Sequence, residues 1–363
     1  MLHWRRFLYL LLDNINQEQS TFALRRINMS GFFYPTRPLA NRSRGAGSSA
    51  NNTATIEKAR LPRPVITFRP PSSESELDFG SMDFMLFSST RDSKYQIIGT
   101  YQRGNTLLYS MDSNTIRVMP TVNKRKRMPL SHIVGDSLYV MDRFPRPSDT
   151  KCFEALAHGR ASSDRFSRLD WYWQSLSPPP DIFEPGYKLP DSYIRSYAVV
   201  GHSNICVSAK DIGTYSFDTV SQAWSKTGDW VLPFSGRAEY IPEYNLWFGL
   251  SYGDNNLLCT SDLSAASELK PPKLRHVWED NHKTPEDWVR GMANVVHLGS
   301  GKFCVARFFQ TPEEEPCEDG GFIRRECERF VVLTGVEVER CGKAGRGLRM
   351  ITHRSKRYSK PHC

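Results

Sequence analysis

The chain has 363 residues, a mass of 41.6 kDa and a formal net charge of +9, with 39% hydrophobic and 12% aromatic residues. That composition supports a buried core and excludes a disordered chain, while 23 prolines and 24 glycines favour sheets and loops over long helices. The charge is uneven: residues 1–44 hold seven Arg against Asp13 and Glu18, Lys124–Arg127 is wholly basic, and residues 341–363 hold seven Lys or Arg and no acid, which leaves a mildly acidic body unlike a broad phosphate-binding surface.

Met1–Arg6 followed by Phe7–Leu12 imitates a signal peptide, but the apolar run stops at Asp13, short of an h-region of about 7–15 residues, and no small-residue cleavage site follows. No run approaches the roughly 18 apolar residues of a membrane span. Phe7–Leu12 and Phe22–Ile27 flank a polar stretch and predict an N-terminal hairpin within residues 1–40 that closes a ring by completing a blade made mostly by the other end of the chain. Residues 41–60 are expected to be a linker or long loop, because Asn41–Thr55 is rich in Ser, Gly, Asn and Ala. Leu61–Pro71 carries Pro62, Pro64, Pro70 and Pro71 and can form an edge strand at most.

The central stretch Ser196–Ser251 sets the pattern for the rest. Its apolar runs Tyr197–Val200, Ile205–Ser208, Thr214–Phe217 and Leu246–Leu250 are separated by Gly, Asp, Asn and Ser clusters, the mark of short antiparallel strands joined by tight turns. Thr214–Asp218 is echoed by Leu107–Asp112 and Leu257–Asp262, and more weakly by Cys152–Leu156 and Phe330–Thr334. The matching positions fall near residues 109, 154, 215, 259 and 331, and the shorter intervals have the spacing of propeller repeats, about 40–50 residues. Insertions at Pro178–Pro190 and Thr311–Asp319 lengthen the others, and Thr284–Trp288 reads as the cap and first turn of a short helix. The predicted fold is all-β: a β-propeller of five or six four-stranded blades, with its body over residues 61–352 and a basic tail over 353–363.

Side chains that could carry chemistry have plainer readings. Trp224, Trp230, Trp247, Tyr215 and Tyr240 are expected to pack blade against blade. Asp112, Asp218 and Asp262 recur at turns, where a carboxylate accepts from nearby backbone N–H groups. His132, His202 and His297 adjoin strand runs and are expected at blade edges or in loops. Cys317, Cys327 and Cys341 are too widely spaced for structural zinc, and no Gly-x-Ser-x-Gly, Walker or His-Glu-x-x-His frame is present, so neither metal, cofactor nor catalytic residues are assigned. The eight scattered cysteines read as reduced thiols in an intracellular setting. Lys124, Arg125, Lys126 and Arg127 form the sharpest local motif, readable as a nuclear-import signal or as a solvated turn that four like charges must keep at the surface. Ser355 and Ser359 have a phosphorylation-like basic context.

RRFLYLLLDN (Arg5–Asn14), ALRRINMS with FFYPT (Ala23–Thr36), LYVMDRFPRP (Leu138–Pro147), SYAVVG (Ser196–Gly201), GTYSFDTVSQAWSKTGDWVLPF (Gly213–Phe234) and LGSGKFCVARFF (Leu298–Phe309) together resemble a large grass-expanded family of uncharacterised kelch-like plant proteins, domain-of-unknown-function family number 1668. The likeness covers roughly residues 4–357 and implies architecture; it implies no activity, ligand or catalytic residue. The kelch Gly-Gly doublet is missing from most units, and nothing in the first 60 residues looks like an F-box.

The expected function is non-enzymatic protein binding by a monomer in the cytoplasm, the nucleus or both, through top-face loops at Pro178–Pro190 and Thr311–Asp319, with an unidentified protein partner and no membrane or nucleic acid. Two alternatives stay open: a hydrolase or lyase working in the central channel, and a nuclear protein with nucleic-acid contacts.

Overall fold

Strand-forming runs bounded by Gly, Asn and Asp turns fold into twenty-four strands among the described residues. In the computed structural model these residues are 4–15, 20–34, 55–71, 81–88, 95–126, 128–145, 149–160, 169–179, 193–253, 256–264, 266, 270–279, 284–316, 322–342 and 347–359, with the backbone alone described at 14–15, 102, 312–316 and 322–327. Among them there is no α-helix, only short 3-10 turns at Met29–Phe32 and Gln102–Gly104, and thus no helix long and apolar enough to cross a membrane.

The strands form six blades. Blade 1 is β1 (Phe7–Ile15), β2 (Ser20–Asn28) and β4 (Pro64–Phe68); β3 (Ile56–Ala59) lies elsewhere. Blade 2 is β5 (Asp83–Ser88), β6 (Tyr95–Thr100), β7 (Thr106–Ser110) and β8 (Thr115–Met119). Blade 3 is β9 (Leu130–Val134), β10 (Ser137–Met141), β11 (Phe153–Gly159) and β12 (Asp170–Ser175). Blade 4 is β13 (Ile194–Val200), β14 (Asn204–Ala209), β15 (Gly213–Asp218) and β16 (Ala223–Gly228). Blade 5 is β17 (Phe234–Ile241), β18 (Leu246–Ser251), β19 (Leu258–Ser261) and β20 (Leu274–Val277). Blade 6 is β21 (Val289–Gly299), β22 (Lys302–Pro316), β23 (Phe322–Cys341) and β24 (Gly347–Ser359), with β3 added parallel to β24. Apart from β3, neighbouring strands within each blade are antiparallel. The innermost strands of blades 4 and 5 touch, since Ser196–Ala198 of β13 pairs in parallel with Gly236–Ala238 of β17.

Because β side chains alternate between faces, each blade presents apolar rows to both neighbours. Six apolar clusters fill the six junctions. Phe22, Phe68 and Tyr109 join blades 1 and 2; Phe87, Leu108 and Leu138 join 2 and 3; Phe153, Tyr215 and Phe217 join 3 and 4. Ala198, Phe234 and Trp247 join 4 and 5; Phe248, Phe303 and Val336 join 5 and 6; Leu8, Leu10, Cys304 and Val331 join 6 back to 1. The last cluster closes the ring.

The repeat seen in the sequence is structural. Tyr109, Glu154, Tyr215, Cys259 and Val331 lie on β7, β11, β15, β19 and β23, the third strand of five successive blades. Ser196–Ser251 spans blade 4 and the first two strands of blade 5. Its tryptophans pack as expected: Trp224 lies 5.7 Å from Phe153 and donates from Nε1 to the Ser177 carbonyl of blade 3 at 2.5 Å, and Trp247 donates to the Val199 carbonyl of blade 4 at 2.8 Å. Trp173, opposite Leu156 as Trp224 is opposite Phe217, repeats the device by donating to the Pro120 carbonyl at 3.0 Å. Asp218 and Asp262 accept from the Val220 and Ser264 amides, both at 3.0 Å, as turn carboxylates. Gly301 also has a demanding place: its φ is +70°, a Cβ there would meet Tyr244 Oη and the Val338 carbonyl at 2.6 Å, and its amide donates to Glu243 at 3.1 Å.

Several expectations need correction. The N-terminal hairpin pairs with β4 to make its own blade and completes none from the C-terminal end; the strand that crosses to blade 6 is β3, inside the stretch expected to be a linker. Residues 41–54 lie outside the described residues. β24 runs to Ser359, so 353–359 is not a tail but strand: Ser355 is 1% exposed and bonded to Thr334 at 2.7 Å, out of a kinase's reach. Thr284–Trp288 is a turn, not a helix, and Thr311–Pro316 lengthens the β22–β23 hairpin in place of a loop.

Interblade packing predicts where substitutions matter. Phe217→Ala, in the fully buried cluster between blades 3 and 4, should lower stability by about 3–5 kcal/mol. Val118→Ala, at a site 85% exposed, should stay within about 0.5 kcal/mol. Urea unfolding followed by tryptophan fluorescence checks both.

Candidate functional site

The basic tetrad folds in an unexpected way. Lys126 is 3% exposed and its ammonium sits against Glu154, which is fully buried. Glu154 also accepts from Asn123 Nδ2 at 2.5 Å and from the Lys124 amide at 3.3 Å. Lys124 pairs with Asp149 at 2.6 Å, and Arg125 with Asp83 at 3.1 Å; Arg127 lies outside the described residues. Four like charges therefore do not all stay at the surface, because each described one has found an acid. Burial lowers the Lys126 pKa, opposed by its hydrogen bond and charge interaction with Glu154. Lys124, Arg125 and Lys126 are thus held in ion pairs that give these three a structural role.

That role is to hold the β10–β11 loop. Asp149 accepts from the Lys151 amide at 3.1 Å and Asp142 from the Phe144 amide at 2.9 Å, so the same carboxylates that meet or adjoin the basic residues also shape the loop. The loop presents Arg143 and Phe144 beside Tyr193 and Arg195 at the start of β13. Phe144 and Tyr193 have ring centroids 5.5 Å apart; the Arg143 guanidinium lies 5.5 Å from the Tyr193 centroid and that of Arg195 lies 5.1 Å from it. Arg195 also stacks on Tyr252, from the β18–β19 loop, at 5.2 Å and donates to its hydroxyl. Among the described residues no carboxylate pairs with Arg143 or Arg195. Cation–π contacts of this kind give about 0.5–1 kcal/mol each when exposed and hold the guanidinium planes in place.

This cluster lies on the face where second strands turn into third and fourth strands lead to the next blade. In the chain the two predicted insertions fall between β12 and β13 and between β22 and β23. Residues 180–190 and 317–319 lie outside the described residues.

At the opposite face the innermost strands β9, β13 and β17 border a cavity of about 310 Å³ lined by His132, His202, Arg237, Glu239, Tyr240 and Trp247 among others. His132 is fully desolvated, with its ring edge-on to Tyr197 at 4.9 Å; burial, reinforced by the charge of Arg237, lowers its pKa well below the usual imidazole range. His297, on β21, is likewise depressed by burial, and in both rings Nε2 is buried without a hydrogen-bond partner among the described residues. Neither imidazole has a side-chain partner there of the kind that orients a general base. His202, by contrast, sits in the exposed β13–β14 turn.

The described cysteines, Cys152, Cys206, Cys259, Cys304 and Cys341, are all unpaired. Burial pushes the thiols of Cys152, Cys259 and Cys304 up to about 12, which makes them inert packing groups. No cluster of three His, Cys, Asp or Glu side chains able to hold a metal is found among the described residues; Cys317 and the Cys327 side chain lie outside them.

Glu154 and the Arg–Tyr cluster were missed in the sequence. Glu154 had a signal, a lone acid inside the apolar run CFEALA, at the place where the other repeats carry Tyr109, Tyr215 and Cys259. The cluster had none, because its members are up to 109 residues apart, from Arg143 to Tyr252.

Six blades of antiparallel strands set around an axis define a β-propeller. The chain belongs to the family described as "Protein of unknown function (DUF1668)", whose model matches residues 5–358. No curated protein matches it in sequence. Among solved structures it is similar to BamB from Moraxella catarrhalis, at 11% identity and a TM-score of 0.32 over 74% of this chain and 84% of that one. It is similar to the N-terminal domain of Nup159 at 8% identity and 0.31 over 85% and 89%. The β-propeller domain of Myceliophteria thermophila Cps50 (Swd1) matches at 12% and 0.28 over 69% and 78%. Scores of this size carry no argument, and the fold assignment rests on the sheets themselves.

Two outcomes follow from the buried charges. Lys126→Met or Glu154→Leu alone leaves an uncompensated buried charge and should cost about 3–5 kcal/mol, whereas the double replacement should cost clearly less in the same urea titration. His132, His297 and His353 all have pKa values depressed by burial, so below the unfolded value of about 6.5 the unfolded chain takes up protons that the native one does not. Stability should be full above that pH and fall as the pH drops through it, and His132→Phe should flatten the slope of melting temperature against pH between 6.5 and 5.

Proposed function

We propose that this protein is a kelch-like, non-enzymatic scaffold that binds a protein partner through its top face, in an intracellular setting. The observation that carries the reading is the cluster of Arg143, Phe144, Tyr193, Arg195 and Tyr252: two guanidiniums held on aromatic rings, with no carboxylate of the described chain against them. Arg and Tyr dominate the energetics of protein interfaces because each offers a large, stiff contact area with a polar end. A partner that brings an acidic side chain would complete the charge pairing. Unpaired, buried thiols fit a reducing compartment.

Proximity labelling with mass spectrometry, comparing the wild-type chain with Arg143→Glu/Arg195→Glu and with Tyr252→Ala, tests this. Tyr252 is 56% exposed, so its truncation leaves the core intact. Hot-spot losses of 2 kcal/mol or more correspond to roughly 30-fold weaker binding, and the same partners should drop out in both variants. An unchanged partner set, with circular dichroism showing both variants folded, rules the reading out.

A further inference from the structure

Among the described residues blade 1 holds three strands, and their sense identifies them. In blades 2–6 the first, innermost strand leaves the top face and the fourth returns to it. The Arg5 amide, just before β1, donates to the Leu298 carbonyl near the end of β21 at 2.6 Å, and Arg5 stacks on Tyr95 at the start of β6 at 4.3 Å. Thus β1 begins at the bottom face and runs upward. At the other end Phe68, closing β4, meets Phe84 at the start of β5 at 5.2 Å, so β4 also runs upward. Up, down, up is the sense of second, third and fourth strands. Among the described residues the first strand of this blade is missing, and the inner edge of β1 pairs with nothing.

A cavity of about 270 Å³ occupies that place. Its walls are almost wholly apolar: Tyr9 and Leu11 from β1, Leu86 from β5, Tyr95 from β6, and Val296 and Leu298 from β21. Phe7, Leu86 and Tyr95, all in the lining, are 45%, 41% and 36% exposed. An apolar slot that opens along a strand edge suits an extended chain segment, whose backbone can pair with that edge. Where inner strands of this ring do meet, at β13 and β17, they hydrogen-bond directly.

We propose that this slot is a β-augmentation site that takes a short extended segment of a partner protein, apolar on both faces and bearing a carboxylate toward the bottom face. The N–H and C=O groups of residues 7–12 that no described strand pairs supply the ladder, and the facing walls of blades 2 and 6 supply two apolar rows. The acidic end is set by charge: Arg5 lies over Tyr95 and Arg26 lies 4.6 Å from the Phe7 centroid, and among the described residues no carboxylate pairs with either. Two undescribed stretches of this chain have the wrong chemistry. Residues 35–54 are rich in Ser, Asn, Gly and Ala, and 360–363 read Lys-Pro-His-Cys. This site is independent of the top-face cluster, on different blades and toward the opposite face.

The test pans a phage display of random seven-residue peptides against the full chain and measures the enriched peptides by fluorescence anisotropy and amide hydrogen exchange. Enriched sequences should be apolar and β-branched with a terminal Asp or Glu, and their binding should slow exchange of the amides of residues 7–12 at least tenfold. Leu86→Arg and Tyr95→Lys, both at partly exposed positions, should each weaken binding at least tenfold, and Arg5→Ala should weaken acidic peptides more than their amidated forms. Tyr252→Ala should bind them as the wild type does. Failure to enrich such sequences, binding that leaves residues 7–12 unprotected, or binding indifferent to both slot variants overturns the proposal. So does a dimer whose formation protects β1, since the occupant would then be a second copy of this chain.

Discussion

A four-stranded sheet of this size has two apolar faces and no helix to cover them, and every other feature of the molecule depends on how that surface is buried. Each blade can hide its rows only against a neighbour, so the chain must bend round until the last blade meets the first. The six junction clusters are that solution, and the one formed by Leu8, Leu10, Cys304 and Val331 makes the ring continuous in the absence of a shared blade. Large aromatics do most of this work, each burying about 150–250 Å², while Trp173 and Trp224 tie neighbouring blades with an indole N–H that also needs a partner once buried.

Against this apolar scheme the Lys126–Glu154 pair stands out. It sits at a repeat position that blades 2, 4 and 5 fill with Tyr109, Tyr215 and Cys259, and a buried pair is poor value as a stabiliser compared with an apolar filling. What it does accomplish is positional. By drawing Lys124 to Asp149 and Arg125 to Asp83, the tetrad fixes the connection between blades 2 and 3 to the loop that carries Arg143 and Phe144. Charge that would otherwise repel along the chain has become the support beneath a surface cluster.

The two faces of the ring thus differ in chemistry. The top offers guanidinium and aromatic groups on braced loops. The bottom offers a cavity lined in part by the buried His132 and, at blade 1, an apolar slot beside a strand edge that no described strand pairs. A strand edge is ordinarily a liability that proteins cover or charge. Here Arg5 lines the slot and Arg26 lies over the Phe7 ring beside it, so the edge carries positive charge.

Strand, turn and repeat were legible in the sequence because they depend on neighbours: alternation sets which residues share a face, Asp and Gly set the turns, and a recurring pattern exposed the third strand of five blades. The aromatic packing role followed from the same alternation. The sense of β1, the diversion of β3 to blade 6, the burial of Lys126 and the meeting of Arg143, Arg195 and Tyr252 were decided only by tertiary structure, because each depends on which distant segment lies opposite. A run of four basic residues has one meaning in water and another against Asp83, Asp149 and Glu154, and only the fold brings those acids to it.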